Sequence, residues 1–178
     1  HRHALRLGLA LLCGGLAILP VRAADENASF RRPVAIVAND RLAVGDSELP
    51  LFVSRNWSAP LPGLRRAVLV LHGVRRDADV YYRSALKAQA AAGAAGAESL
   101  MIAPQFLAGI DLAAYRLSDR TLHWSLVGWE GGDPAEGTSR ASSFDALDAI
   151  LRHLSDRKLF PDLREIVVAG HSGGGQVV

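Results

Sequence analysis

The stretch Glu165–Gly174, with the sequence Glu-Ile-Val-Val-Ala-Gly-His-Ser-Gly-Gly, decides the fold of this 178-residue chain. Its first half is a short aliphatic and β-branched run, which is typical of a strand buried on both faces of a parallel sheet. Its second half contains Gly170-x-Ser172-x-Gly174, the spacing of a sharp turn from a strand into a helix. The pattern predicts a strained serine between two glycines that approach too closely for side chains.

Two earlier apolar runs predict further strands of the same sheet. Ala67–Leu71 ends at His72-Gly73, and Ser99–Ala103 is stopped by Pro104. Between these runs, Asp79–Ala92 is rich in alanine, leucine and lysine, and this composition favours a helix. A strand, a helix and a second strand in this order indicate a parallel crossover unit.

A hairpin and a second helix complete the pattern. Pro33–Val44 allows a strand that pairs with Leu49–Val53 across a glycine-containing turn. Ser142 or Ser143 is predicted to cap a helix, with Asp145 in its first turn. The sequence therefore predicts an α/β fold with a mostly parallel sheet and flanking helices.

Residues 1–23 have the pattern of a secretory signal peptide. Arg2 and Arg6 precede the apolar run Leu7–Leu19, and Ala23 offers a cleavage site after small residues. The run is shorter than the ~20 residues of a comfortable transmembrane helix, although an uncleaved anchor is the alternative. We expect a secreted or periplasmic protein, without stable membrane insertion after cleavage, whose mature part begins at Ala24.

Charge and cysteine content exclude several functions. The net charge of +2 includes three leader arginines, so the rest of the chain carries −1 and has no basic footprint for nucleic acid. The pairs Arg65-Arg66 and Arg75-Arg76 are interpreted as solvated surface charge. The only cysteine, Cys13, lies in the leader. Elsewhere in the sequence, no group of ligand-type residues has the spacing of a metal site. We therefore expect no cofactor and no metal.

With the Gly170-His171-Ser172-Gly173-Gly174 turn and His72-Gly73 after an earlier strand, residues 64–178 resemble the α/β-hydrolase superfamily, especially secreted esterase-like and lipase-like members. The resemblance implies an eight-stranded, mostly parallel sheet, of which this chain would supply about the first five strands. It also implies that Ser172 is the nucleophile.

The same resemblance implies two oxyanion donors, each worth roughly 3–4 kcal/mol. One is the backbone N–H of Gly173, and the other is that of Val74, with Arg75 as the alternative. We interpret His72 as a residue that shapes the oxyanion loop. His171 is interpreted as a residue that packs and forms local hydrogen bonds beneath the site rather than as a general base.

The triad of this superfamily runs serine, acid, histidine in chain order. Only six residues follow Ser172, and none of them is an acid or a histidine. We therefore expect the acid and the histidine beyond Val178, in an α/β-hydrolase fold truncated after the elbow. Residues 24–178 would then form the N-terminal part of one domain, which we expect to be unstable and almost inactive alone.

The nucleophile predicts acyl transfer, with a small-molecule, lipid or polymeric ester as the substrate. The long segment 105–141 contains Trp124 and Trp129, which either line a pocket or pack in the interior. The acids of this segment, Asp133 and Glu136, are interpreted as solvated loop residues. Two other functions remain open: a non-catalytic binding module, and a serine peptidase or acyltransferase of the same fold.

Overall fold

The computed structural model describes residues 29–178, so the predicted signal peptide at residues 1–23 lies outside the described residues. Within residues 29–178 no helix is long and apolar enough to cross a membrane. The described part of the chain contains seven strands: β1 (Asp40–Val44), β2 (Ser47–Val53), β3 (Arg66–Leu71), β4 (Ser99–Pro104), β5 (Leu107–Ala108), β6 (His123–Trp124) and β7 (Glu165–Gly170).

Five of these strands form one sheet in the order β1-β2-β4-β3-β7, and the two short strands β5 and β6 pair separately. Strands β4, β3 and β7 are parallel, whereas β1 and β2 form an antiparallel hairpin that joins the sheet through β2 and β4. The predicted α/β fold and the predicted hairpin are therefore confirmed. The parallel part of the sheet is its β4-β3-β7 half.

Helices connect these strands. Within the described residues they are α1 (Ala78–Ala91), α2 (Ala94–Ala97), α3 (Gly109–Tyr115), α4 (Ser143–Leu154) and α5 (Gly173–Val177), with a 3₁₀ turn at Gly128–Gly131. Ser142 is the N-cap of α4: its hydroxyl accepts from the Asp145 N–H, while the Asp145 carboxylate accepts from the Ser142 N–H. This capping box satisfies two backbone donors that a helix start leaves unpaired.

Strand β7 is an edge strand of the described sheet, as we expect when no further strand follows it. The apolar run Ile166-Val167-Val168, by contrast, predicts burial on both faces, and this prediction is wrong. Residues Ile166 and Val168 are 39% and 37% exposed. By contrast, every residue of β4 is buried, because it lies between two strands and beneath α1. Burial here follows the position of a strand in the sheet, which an apolar run alone does not specify.

The long segment 105–141 packs its aromatic residues into the core. Trp124 and Trp129 are fully buried, so the packing interpretation is correct and neither ring is accessible to solvent. The Trp129 ring stacks on Phe106, with centroids 5.0 Å apart, and meets the His72 ring edge-on at 4.7 Å. These contacts anchor the segment directly beneath the residues that follow β3.

The interpretation of Arg76 as solvated charge is wrong. Its side chain is fully buried and forms a bidentate ion pair with Asp111, with Nε–Oδ2 and Nη2–Oδ1 distances of 2.7 and 3.2 Å. The same guanidinium donates to the carbonyls of Phe30 and Arg32. Its neighbour Arg75 is exposed, as expected. A guanidinium tolerates burial when a carboxylate and further acceptors satisfy its donors, and this environment supplies both.

Asp111 and Gln105 extend this buried network. The Asp111 carboxylate also accepts from the backbone N–H groups of Val34 and Ala108. The fully buried Gln105 accepts from the Ala38 N–H and donates to the carbonyls of Ile36 and Arg76. Together the polar side chains fasten segment 30–38 to the loops that follow the carboxyl ends of β3 and β4.

Replacing Arg76 with Met is expected to lower the free energy of unfolding by about 3–5 kcal/mol, because it leaves the buried Asp111 carboxylate without its counter-ion. The matched control is Arg75→Met at the exposed neighbouring position, where we expect a change within about 0.5 kcal/mol. Urea unfolding monitored by tryptophan fluorescence measures both. Equal effects of the two substitutions would contradict the importance of the ion pair.

Candidate active site

The pairing of two parallel strands brings the two sequence motifs together. Leu71 at the end of β3 is the register partner of Gly170 at the end of β7. His72-Gly73 and His171-Ser172 therefore leave the sheet side by side at one edge, and the His171 N–H donates to the Leu71 carbonyl at 3.3 Å. Parallel strands place their carboxyl ends at the same edge of a sheet, where ligands bind in many α/β proteins.

Ser172 has the strained backbone that the sequence pattern predicts. Its φ and ψ are 54° and −119°, and α5 begins at the next residue. A positive φ is costly for a residue with a side chain and persists where the surrounding structure enforces it. The surrounding turn is tight, because a Cβ at Gly170 would lie 2.1 Å from the Gly174 carbonyl oxygen. A Cβ at Gly174 would lie 2.5 Å from the Leu71 carbonyl oxygen.

Ser172 lines a cavity of about 580 Å³ at this edge of the sheet. The turn after β3 contributes Gly73, Val74 and Arg75 to the cavity wall, and the first part of α1 contributes Tyr81. A volume of this size is within the range of small-molecule sites.

Two backbone donors lie in the turns beside Ser172. Within the described residues, no acceptor pairs with the N–H of Val74 or with that of Gly173. Gly173 is the first residue of α5, and the first N–H groups of a helix have no intrahelical partner. Both predicted oxyanion donors therefore lack an acceptor among the described residues; Val74 lines the cavity, and Gly173 is buried directly after the cavity-lining Ser172.

His72 holds the turn after β3 from below. It is fully buried: its Nε2 accepts from the Phe106 N–H at 2.9 Å, so its Nδ1 carries the proton that is donated to the Gly73 carbonyl at 2.8 Å. Burial lowers the pKa of His72 from 6.5 to about 4, which keeps the ring neutral near pH 7. This fixed imidazole positions the turn that carries Val74.

His171 does not lie beneath the site, where we expected it to pack. Its side chain is exposed and lines the cavity beside Ser172, with Nδ1 2.9 Å from the hydroxyl oxygen of Tyr81. Tyr81 was not identified from the sequence. The spacing from His72-Gly73 into the first turns of α1 is the only sequence signal that could have found it.

Glu130 is a second residue that the sequence analysis missed. It lies in the 3₁₀ turn, and its Oε1 is buried without a hydrogen-bond partner among the described residues. A Cβ on Gly173 would lie 2.3 Å from this oxygen, so the carboxyl group occupies the space beside the start of α5. Burial raises the pKa of Glu130. The acids expected to be solvated, Asp133 and Glu136, are exposed.

Within residues 29–178, no side chain forms a hydrogen bond with the Ser172 hydroxyl. The same residues contain no group of three or more histidines, cysteines or acids that could hold a metal ion. The described site therefore combines a strained serine, two unpaired backbone donors and a cavity.

Comparison with known proteins returned no match: no family model fits the chain, and neither curated proteins nor solved structures show significant similarity to it. The fold and the geometry of the site are thus the basis for assigning a function.

Substituting Gly170 with Ala is expected to destabilise the protein by about 3 kcal/mol or more, because the new Cβ collides with backbone that cannot move without breaking the turn. Gly175→Ala is the matched control: the nearest atom to its Cβ would be at 3.6 Å, and alanine favours the helix. Thermal unfolding distinguishes them. A Gly170→Ala protein as stable as the control would contradict the close approach.

Proposed function

We propose that this protein is a serine hydrolase of the α/β-hydrolase type that cleaves carboxylic esters through an acyl-enzyme on Ser172. The single observation that carries the proposal is the backbone of Ser172, held at φ 54° and ψ −119° on a strand-to-helix turn at the edge of a cavity. The strained backbone of a serine at such a turn costs free energy of folding, and enforced strain of this kind clusters at functional sites. A serine of purely structural importance would have no reason to keep it.

The backbone donors beside the serine support the same chemistry. Attack of Oγ on an ester carbonyl forms the Oγ–C bond and moves the carbonyl electrons onto oxygen. The N–H groups of Val74 and Gly173 are available at the two turns to stabilise that negative charge. Collapse of the intermediate breaks the bond to the alcohol, which leaves with a proton, and water then releases the acid from Ser172.

A general base must remove the Ser172 proton, and the described histidines do not supply it by direct contact. His72 is occupied by two hydrogen bonds and is neutral, and His171 bonds Tyr81 instead. The proposal needs a general base and an acid besides these histidines; in the superfamily that the sequence resembles, both follow the serine in chain order. Secretion after cleavage of residues 1–23 is part of the same proposal.

The observations favour hydrolysis over the alternative of a binding module, because a module would not need unpaired oxyanion donors beside a strained serine. They do not separate an esterase from a peptidase or an acyltransferase, which use the same nucleophile and the same donors. An ester is the substrate we propose, because its alcohol leaves more readily than an amine.

Treating the full-length protein with a fluorophosphonate is expected to form a Ser172 Oγ–phosphorus bond with loss of fluoride, detected by peptide mass spectrometry. Ser172→Ala should abolish the adduct. The matched control is Ser58→Ala, because Ser58 is also exposed but lies away from this cavity, and it should leave the adduct unchanged.

An adduct that persists in Ser172→Ala, or a folded wild-type protein that forms none, would contradict the proposal. In the second case the binding-module alternative would be favoured. Hydrolysis of an amide faster than the matched ester would instead point to the peptidase alternative.

A further inference from the structure

Tyr81 and His171 form a hydrogen-bonded pair at the wall of the Ser172 cavity. The Tyr81 hydroxyl oxygen is 2.9 Å from His171 Nδ1, and the two rings are tilted with centroids 5.8 Å apart. Tyr81 comes from α1 and His171 comes from the turn after β7, so the pair joins two elements of the site. Both residues line the cavity together with Ser172.

Gly73 leaves open the space between this pair and the serine. A Cβ at Gly73 would lie 3.3 Å from the Tyr81 hydroxyl oxygen and 3.4 Å from the Ser172 Cβ. The two side chains therefore border the same small gap, which a glycine keeps free. A group bonded to Ser172 would therefore lie in the same cavity as the Tyr81 hydroxyl.

The hydrogen-bond capacity of the pair does not depend on the tautomer of His171. If Nδ1 carries the proton, it donates to the Tyr81 oxygen and the Tyr81 hydroxyl is free to donate, while Nε2 accepts. If Nε2 carries the proton, Tyr81 donates to Nδ1, and its oxygen, which also interacts with the Gly73 backbone N–H, keeps one lone pair to accept, while Nε2 donates. Either way the pair presents one spare donor and one spare acceptor, which matches a hydroxyl group.

The Tyr81 phenol must be protonated for its hydroxyl to donate a hydrogen bond to the substrate. Burial, together with the nearby Asp77 carboxylate, raises the pKa of Tyr81 above its usual value near 10. A neutral phenol is therefore the form present at physiological pH.

The rest of the cavity favours a neutral substrate. Arg75 and Asp77 both line it and carry opposite charges, so neither a cationic nor an anionic substrate meets a matching field. Phe30, Val80 and Val127 supply apolar surface. The cavity thus combines apolar walls with two opposite charges and one uncharged hydrogen-bonding pair, Tyr81 and His171.

We infer that Tyr81 and His171 form a hydroxyl-binding subsite, which selects neutral esters that carry a hydroxyl group close to the scissile bond. The inference rests on the proposed function, because it concerns the substrate of the Ser172 cavity. The hydroxyl belongs either to the acyl part or to the alcohol part, and the experiment below separates these two sources.

The test measures binding to three unreactive amide analogues by NMR titration of the full-length protein: N-ethylbutyramide, N-ethyl-2-hydroxybutyramide and N-(2-hydroxyethyl)butyramide. We expect one hydroxylated analogue to bind about tenfold more tightly than the parent, which corresponds to one net hydrogen bond. The hydroxylated analogue that binds more tightly shows whether the hydroxyl group belongs to the acyl part or to the alcohol part of the substrate. Tyr81→Phe should abolish the preference without unfolding the protein.

The matched control is Tyr82→Phe. Tyr82 lies next to Tyr81 in α1, but it stacks on Phe52 and does not line the cavity, so the preference should remain. Equal affinity for all three amides in the wild type, or a preference that survives Tyr81→Phe, would overturn the inference. Because amide binding does not require a reactive serine, these outcomes are independent of phosphonylation at Ser172, which tests the proposed function.

Discussion

The pairing of Leu71 with Gly170 is the constraint on which the site depends. Because β3 and β7 are parallel and adjacent, their carboxyl ends deliver two short turns to one edge of the sheet. One turn carries the strained Ser172, and the other carries the free N–H of Val74. A shift of β7 by one residue would turn every β7 side chain to the opposite face and would separate the serine from the Val74 N–H.

Buried polar groups hold the turn after β3 in place. The neutral His72 bonds the Gly73 carbonyl from below, and Trp129 and Phe106 enclose the imidazole. On the far side, the Arg76–Asp111 ion pair fixes the next residues of the loop to α3. Such pairs are weak sources of net stability, but breaking one is costly, so they fix geometry effectively. The loop is thereby preorganised, as catalysis by backbone donors requires.

Much of the fold could be predicted from the sequence, because periodicity and turn chemistry report local structure directly. The run Ala67–Leu71 and the serine cap before α4 are examples, and both lie where the pattern placed them. The apolar run of β7 does not by itself predict the exposure of Ile166, because that exposure depends on which elements lie against β7. Arg76 was misread for a related reason: its burial depends on Asp111, which is distant in sequence.

Some features of the candidate site likewise follow from the local sequence, whereas others depend on contacts between residues that are distant in sequence. The glycine spacing predicts the strained backbone of Ser172, since the steric requirement is local. Glu130 could not be found from the sequence, because only the packing of the 3₁₀ turn against α5 brings it beside Gly173. Tyr81 reaches the site through its contact with His171, which is distant in sequence. His171 was placed wrongly for the same reason, since its hydrogen-bond partner comes from another element.

The most direct measurement is a crystal structure of the full-length protein with a phosphonate bound to Ser172. We predict that the phosphonyl oxygen accepts hydrogen bonds from the N–H groups of Val74 and Gly173, at about 2.7–3.1 Å from each nitrogen. A phosphonyl oxygen directed into solvent, with both N–H groups left without an acceptor, would contradict the assignment of these two turns as an oxyanion site.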